Sequence, residues 1–324
     1  ENIRESAKLF IKNKKEFMKD IKGVITPLIT PLNKDYQLDL SSLSKLINNV
    51  IDGGVHGIFL LGTTGEGPNL DLTTKKKLIE KVSNYVENDL PLLIGVSSCS
   101  YSEINQIISH SVKYNVSAIV ATPPYYYPHN EIEVIDWMLQ LAEISPIPIL
   151  LYNIPSMTKF NFTLSIVREL SQHKNIIGLK DSSGDIGFFH KINNDSGISK
   201  EFKIFVGPEE LLAESVMFGA LGGVPGGSNI YPKVFVETYN NAVSNNHNDL
   251  KELHKIIIEI STYLYVHGGY GTSVIKGLKY AGKIKGLCKE YMTKPFNHLH
   301  QSEKDKIEYF LNDIHKRLEI YNLL

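Results

Sequence analysis

The chain has 324 residues, 42% of them hydrophobic and 21% charged, with a net charge of -1 and a pI near 6.9. That apolar content can build one large core with an appendage and excludes a disordered chain. So balanced a charge argues against a nucleic-acid or anionic-membrane surface, and no run of about 18 apolar residues is present to span a bilayer.

In chain order, residues 1–20 read as an N-terminal helical extension, with Leu9, Phe10, Phe17 and Met18 at helical spacing among charges. They lack the apolar centre of a signal peptide, and Glu1, Glu5, Glu16 and Asp20 argue against a transit peptide. From residue 21 to 246, short apolar runs alternate with helical periodicity. Strands are expected at Gly23–Thr30, Gly57–Leu61, Leu92–Val96, Ala118–Thr122, Ile149–Tyr152, Ile176–Lys180, Phe202–Val206 and Leu221–Val224. Helices are expected at Leu40–Ile51, Thr73–Val86, Ser102–Tyr114, Glu131–Ile144, Thr163–Leu170, after Glu210 as far as Phe218, and from Tyr231 to about Val243. Eight strands alternating with helices over short connections predict an α/β chain folded as a (β/α)8 TIM barrel. The competing architecture, a doubly wound sheet, would more often show a GxGxxG after its first strand, and none is present. Residues 247–324 read as C-terminal helices, near Leu250–His267, Thr272–Lys283 and Ser302–Tyr321.

In a parallel barrel, side chains at the carboxyl ends of the strands face the active site. Tyr152 and Lys180 each finish a buried strand, one helix apart. A lysine at the end of an apolar run is placed to act as a nucleophile toward carbonyls, and a neighbouring tyrosine can carry protons. The same rim would collect Thr63, Thr64, Tyr125, Tyr126, Ser182, Glu209 and Ser228. The turn Gly62-Thr63-Thr64-Gly65-Glu66-Gly67 offers hydroxyls and free backbone N–H groups at a strand end and helix start, which suits a small carboxylate. Metal chemistry has little support: the eleven histidines are scattered, and the His298/His300 pair has no carboxylate or cysteine pattern around it. No GxSxG is present for a serine nucleophile. Cys99 and Cys288 lie far apart without a CxxC, which fits a reducing, cytoplasmic setting.

Taken together, GTTGE at Gly62–Glu66, YNIP at Tyr152–Pro155 and GLKDSSGD at Gly178–Asp185 resemble the dihydrodipicolinate synthase / N-acetylneuraminate lyase family, over roughly residues 21–295. The resemblance implies class I aldolase chemistry on pyruvate without metal or organic cofactor, in a barrel that is usually tetrameric, so a homotetramer or homodimer is expected. It implies that Lys180 forms the Schiff base and that Tyr152 shuttles protons. Thr63 would link Tyr152 to Tyr126 of a neighbouring subunit, and Gly62 and Thr64 would hold the pyruvate carboxylate. Ser182, Gly207, Glu209, Glu210 and Val224 would bind the rest of the substrate, with room left by Gly226 and Gly227.

The sequence departs from the synthase pattern at one place. Synthases carry an arginine two residues after the YNxP proline for a substrate carboxylate; Met157 stands there, and it cannot pair with one. Only Arg4, Arg168 and Arg317 exist as substitutes. The expectation is therefore a lyase that splits a 2-keto-3-deoxy sugar acid, or a related 2-keto acid, into pyruvate and an aldehyde. The alternatives are a dihydrodipicolinate synthase that condenses pyruvate with aspartate semialdehyde, a Schiff-base dehydratase, and a non-catalytic keto-acid-binding barrel.

Overall fold

A computed structural model describes residues 20–86, 90–265, 272–321 and 323–324. The expected N-terminal helix, apart from Asp20, lies outside the described residues, as do Val266 and His267 at the end of the expected 250–267 helix.

Eight parallel strands close into a barrel in sequence order. They are β1 (Gly23–Pro27), β2 (Gly57–Leu60), β3 (Leu92–Gly95), β4 (Ala118–Ala121), β5 (Ile149–Asn153), β6 (Ile176–Asp181), β7 (Lys203–Val206) and β8 (Gly222–Gly223). The connecting helices are α1 (Leu40–Asp52), α2 (Leu72–Val86), α3 (Tyr101–Ser111), α4 (Glu131–Ile144), α5 (Leu164–Leu170), α6 (Ile186–Asn193), α7 (Leu212–Met217) and α8 (Pro232–Val243). Then follow α9 (His247–Tyr265), α10 (Ser273–Ile284) and α11 (Gln301–Ile320). Caps mark the helix starts: Asp39, Ser100, Asn130, Thr163 and Asp185 each accept a bond from a first-turn N–H. Each such cap stabilises its helix by about 1 kcal/mol.

Alternation along each strand sorts the core into two parts. Ile25, Phe59, Leu93, Val120, Leu150, Tyr152, Phe205 and Val224 fill the barrel interior. Ile58, Leu60, Ile94, Ile119, Leu151, Leu179 and Ile204 face outward into the larger core beneath the helices. A strand buried on both faces is what a continuous apolar run such as Ile149-Leu150-Leu151 encodes.

Three of the local differences between structure and expectation shape the barrel rim. Helix α6 was not expected; its eight residues are too few for a clear periodic signal, and Asp185 supplies the cap. Strand β8 is two glycines rather than four residues, because Pro225 and the 3-10 turn Gly226–Asn229 break it off. The turn after β2 does not open directly into a long helix. Gly67–Asn69 forms a 3-10 turn with Pro68 inside it, and α2 begins only at Leu72. The dipole of a long helix is therefore not aimed at this turn, and its anion-binding capacity comes from hydroxyls and local N–H groups.

Candidate active site

Tyr152 and Lys180 are register partners on β5 and β6, and Lys180 is also paired with Phe205 on β7. Both are buried, at 2% and 6% exposure. The Lys180 Nζ lies 3.9 Å from the centroid of the Tyr152 ring and 5.0 Å from that of Phe59. Two aromatic walls thus fix the end of an otherwise flexible stem, which lowers the ordering cost of a nucleophilic attack.

The Tyr152 hydroxyl lies 3.3 Å from Thr63 Oγ1, long for an O–H···O bond, so this link has room to tighten when a substrate enters. Burial pushes the Tyr152 phenol up. The Lys180 charge and hydrogen bonds with Thr63, Lys180 and Ser182 together outweigh it and hold the phenol below its ordinary value. A phenol so placed gives up its proton more readily than a free tyrosine and can take it back, as a proton shuttle requires.

One residue beyond this rung, a second pair locks the two strands. Asn153 Nδ2 donates to Asp181 Oδ1 at 2.8 Å and to Asn161 Oδ1 at 3.0 Å, while Phe162 N donates to Asn153 Oδ1 at 3.2 Å. Asp181 also accepts from Ser183 N and Ser183 Oγ. Burial nevertheless raises the Asp181 carboxyl above its usual range. These two positioning residues follow directly after Tyr152 and Lys180 in sequence, which was the available signal for them.

Ser182 contacts the Tyr152 hydroxyl and lies half-buried on the rim. Gly207 makes this placement possible: a Cβ there would sit 1.9 Å from Ser182 Oγ. Val224 belongs to the interior cluster with Tyr152. Gly62 is buried, and Thr63 and Thr64 are half-buried in their turn. At Gly67 a Cβ would come within 1.9 Å of the Leu61 carbonyl oxygen, so the turn closes only with glycine there.

The turn is tied to the C-terminal helices by a contact with no direct sequence signal. Glu66 and Lys279 of α10 form an ion pair with both side chains at 0% exposure. The second Glu66 oxygen accepts from Thr293 N at 2.6 Å and Thr293 Oγ1 at 2.7 Å, and Lys279 also donates to the Tyr291 carbonyl at 2.5 Å. Burial lowers the Lys279 amine from its usual value against the raising effect of Glu66.

Glu209 and Glu210 do not stand alike. Glu210 is half-buried, whereas Glu209 is 3% exposed. Gly227 N and the Tyr265 hydroxyl both donate to Glu209 Oε2, at 2.9 and 2.6 Å, and Oε1 has no hydrogen-bond partner. Burial raises its carboxyl to about 8. Ser228 is fully buried, with its Oγ 2.9 Å from Thr26 Oγ1, and binds the β8 turn to β1. Tyr126 stands apart from this constellation. It is 73% exposed and packs edge-on against Tyr127, which is 69% exposed.

Beside Thr63 the rim opens into a cavity of about 200 Å³, lined in part by Ser97, Tyr125, Met157, Thr158 and Phe296. Among the described residues no guanidinium lines it. Arg168 is paired with Asp195 and Arg317 with Glu259, both on the helical exterior. Among the described residues no group of three or more His, Cys, Asp or Glu side chains could hold a metal ion, and no helix is long and apolar enough to cross a membrane.

A lysine and a tyrosine on neighbouring strand ends, joined to a threonine in a glycine-rich turn, suit imine chemistry. The family model of the Dihydrodipicolinate synthetase family matches residues 20–314. The chain belongs to this family. Members of the family are pyruvate-dependent lyases and aldolases. The chain is 31% identical to a 4-hydroxy-tetrahydrodipicolinate synthase of Karelsulcia muelleri, over 86% of this chain and 92% of that protein. It is 28% identical to a probable 2-dehydro-3-deoxy-D-pentonate aldolase of Escherichia coli, over 91% and 97%. The solved dihydrodipicolinate synthase of Bacteroides thetaiotaomicron superposes with a TM-score of 0.84 at 36% identity, covering 90% of this chain and 98% of that one.

Proposed function

We propose that this protein is a class I aldolase that splits a 2-keto-3-deoxy sugar acid, or a related 2-keto acid, into pyruvate and an aldehyde. The observation that carries this reading is the Lys180–Tyr152–Thr63 line opening beside a cavity whose wall presents Met157 and, among the described residues, no cation. The Lys180 amine adds to the C2 carbonyl, the Tyr152 phenol gives its proton to the departing oxygen, and water leaves, giving a protonated imine beside a Tyr152 phenolate. Tyr152 takes the proton of the C4 hydroxyl, the C3–C4 bond breaks, and its electron pair enters the imine as an enamine. The aldehyde departs, C3 regains a proton, and water releases pyruvate from Lys180. Gly62 and Thr64 hold the keto-acid carboxylate. Ser182, Gly207, Glu210 and Val224 border the carbon chain, and Glu209 holds the Gly226–Asn229 turn beside them through Gly227. The enzyme works as a homodimer or homotetramer in the cytoplasm, with Tyr126 completing the proton relay of a neighbouring copy.

The higher identities to synthases favour a second reading, condensation of pyruvate with aspartate semialdehyde. Borohydride reduction in the presence of pyruvate, followed by peptide mass spectrometry, is the first test. A reduced pyruvyl adduct on the Lys180 peptide, absent in Lys180→Ala, is expected; folded wild-type protein that gives none sinks the imine mechanism. A panel of 2-keto-3-deoxy sugar acids set against aspartate semialdehyde then separates the readings. Faster turnover with the semialdehyde than with every sugar acid would favour the synthase.

A further inference from the structure

Thr122 follows directly on β4 and is 3% exposed. Its Oγ1 is buried and has no hydrogen-bond partner among the described residues. A buried hydroxyl left unpaired is costly, and most are paired. Trp137 on α4, Ser215 on α7, His254 on α9 and Glu209 also have an unpaired buried atom but do not line this cavity, and Glu66, which does line it, has its Oε1 in the ion pair with Lys279. Thr122 differs because it lines the cavity that also holds Thr63 and Met157. Its place in the sheet fits that position. Val120 and Leu150 are register partners on the inner face, so Thr122 and Tyr152, each two residues further on, occupy the next rung of that face. Two neighbouring hydroxyls are already committed: Thr63 is in contact with Tyr152, and Thr158 donates to backbone carbonyls.

Resting on the aldolase reading above, we propose that Thr122 is a specificity residue that hydrogen-bonds a hydroxyl on the aldehyde half of the substrate. A threonine hydroxyl has one donor and two acceptor sites, and rotation about χ1 exchanges its oxygen and methyl without moving the backbone. A wall of this kind favours a hydroxylated chain and gives a carboxylate no counter-charge. Met157 on the same wall acts in the same direction.

The test compares condensation of pyruvate with glyceraldehyde, which carries hydroxyls, and with propanal, which carries none. Thr122→Val keeps the shape and removes the hydroxyl. It is expected to lower kcat/KM for glyceraldehyde about five- to tenfold, the effect of one neutral hydrogen bond. Propanal turnover and borohydride trapping of pyruvate alone should stay within about twofold of wild type on the same basis. Thr122→Ser should restore the preference. Equal losses on both aldehydes, no loss on either, or a loss in pyruvate trapping overturns the proposal. Wild-type protein that traps pyruvate yet condenses it with neither aldehyde overturns it too and leaves the imine chemistry standing. Wild-type protein that does not trap pyruvate overturns both.

Discussion

A carboxylic acid with little water around it holds its proton tightly, and Glu209 is the residue where this matters most. Burial outweighs the bonds from Gly227 and Tyr265 and lifts its carboxyl from the usual 4.5 to about 8. The unfolded chain loses that proton near pH 4.5, and the folded chain keeps it until about pH 8. The stabilising contribution is therefore complete below pH 4.5, declines as pH rises through this window, and is gone above pH 8. Glu209→Gln imitates the protonated acid and does not titrate. Its unfolding free energy relative to wild type should rise by about 1.4 kcal/mol per pH unit across the window. Denaturant titrations at several pH values test this; parallel curves for the two proteins would show that Glu209 is ionised throughout. At this same scale the Met157 thioether on the cavity wall cannot pair with a carboxylate as a guanidinium does, which is the ground for the proposed sugar-acid substrate.

Among the elements, α10 contributes an anchor for the turn between β2 and α2. The Glu66–Lys279 pair has no exposed atoms, so its attraction must offset a large desolvation cost, and Thr293 and Tyr291 supply the further bonds that make this feasible. Removing one partner strands a buried charge. Lys279→Met should destabilise the fold by about 3–5 kcal/mol. The neutral pair Glu66→Gln with Lys279→Met should cost clearly less than the sum of the two single changes. Simple additivity in this double-mutant cycle would mean the two side chains do not act as a pair. The C-terminal helices thus support the turn that carries Thr63 and Thr64.

For the whole molecule, the exposed Tyr126–Tyr127 pair carries a consequence for assembly. Large aromatic side chains at the surface are enriched at protein interfaces. With Tyr126 acting across a subunit boundary, Lys180→Ala and Tyr126→Phe proteins should each have low activity. Mixing and reassociating them should restore activity, because a mixed dimer regains one complete site. No recovery, from a preparation shown by sedimentation to contain mixed oligomers, would place Tyr126 outside the neighbour's site; sedimentation as a monomer alone would remove the cross-subunit role.

The amino-acid sequence by itself determined the eight strands and most of the helices between them, since buried parallel strands need continuous apolar runs and helices need a 3.6-residue repeat. It also determined the pairing of Tyr152 with Lys180, because both end a strand and strand ends share one rim. Short elements escaped it: α6 has eight residues and β8 two, too few for a period to show. Only the tertiary structure decided what depends on contacts between distant segments. Lys279 lies 213 positions after Glu66 and follows Leu278 in a helix that reads as ordinary amphipathic sequence. Glu209 reads as a rim acid until Gly227 and Tyr265 close over one of its oxygens. Thr122 reads as the last polar residue of a strand until the cavity and the unpaired hydroxyl stand together. Periodicity is local and is written along the chain, whereas desolvation and partner choice depend on which segments the closed barrel brings together.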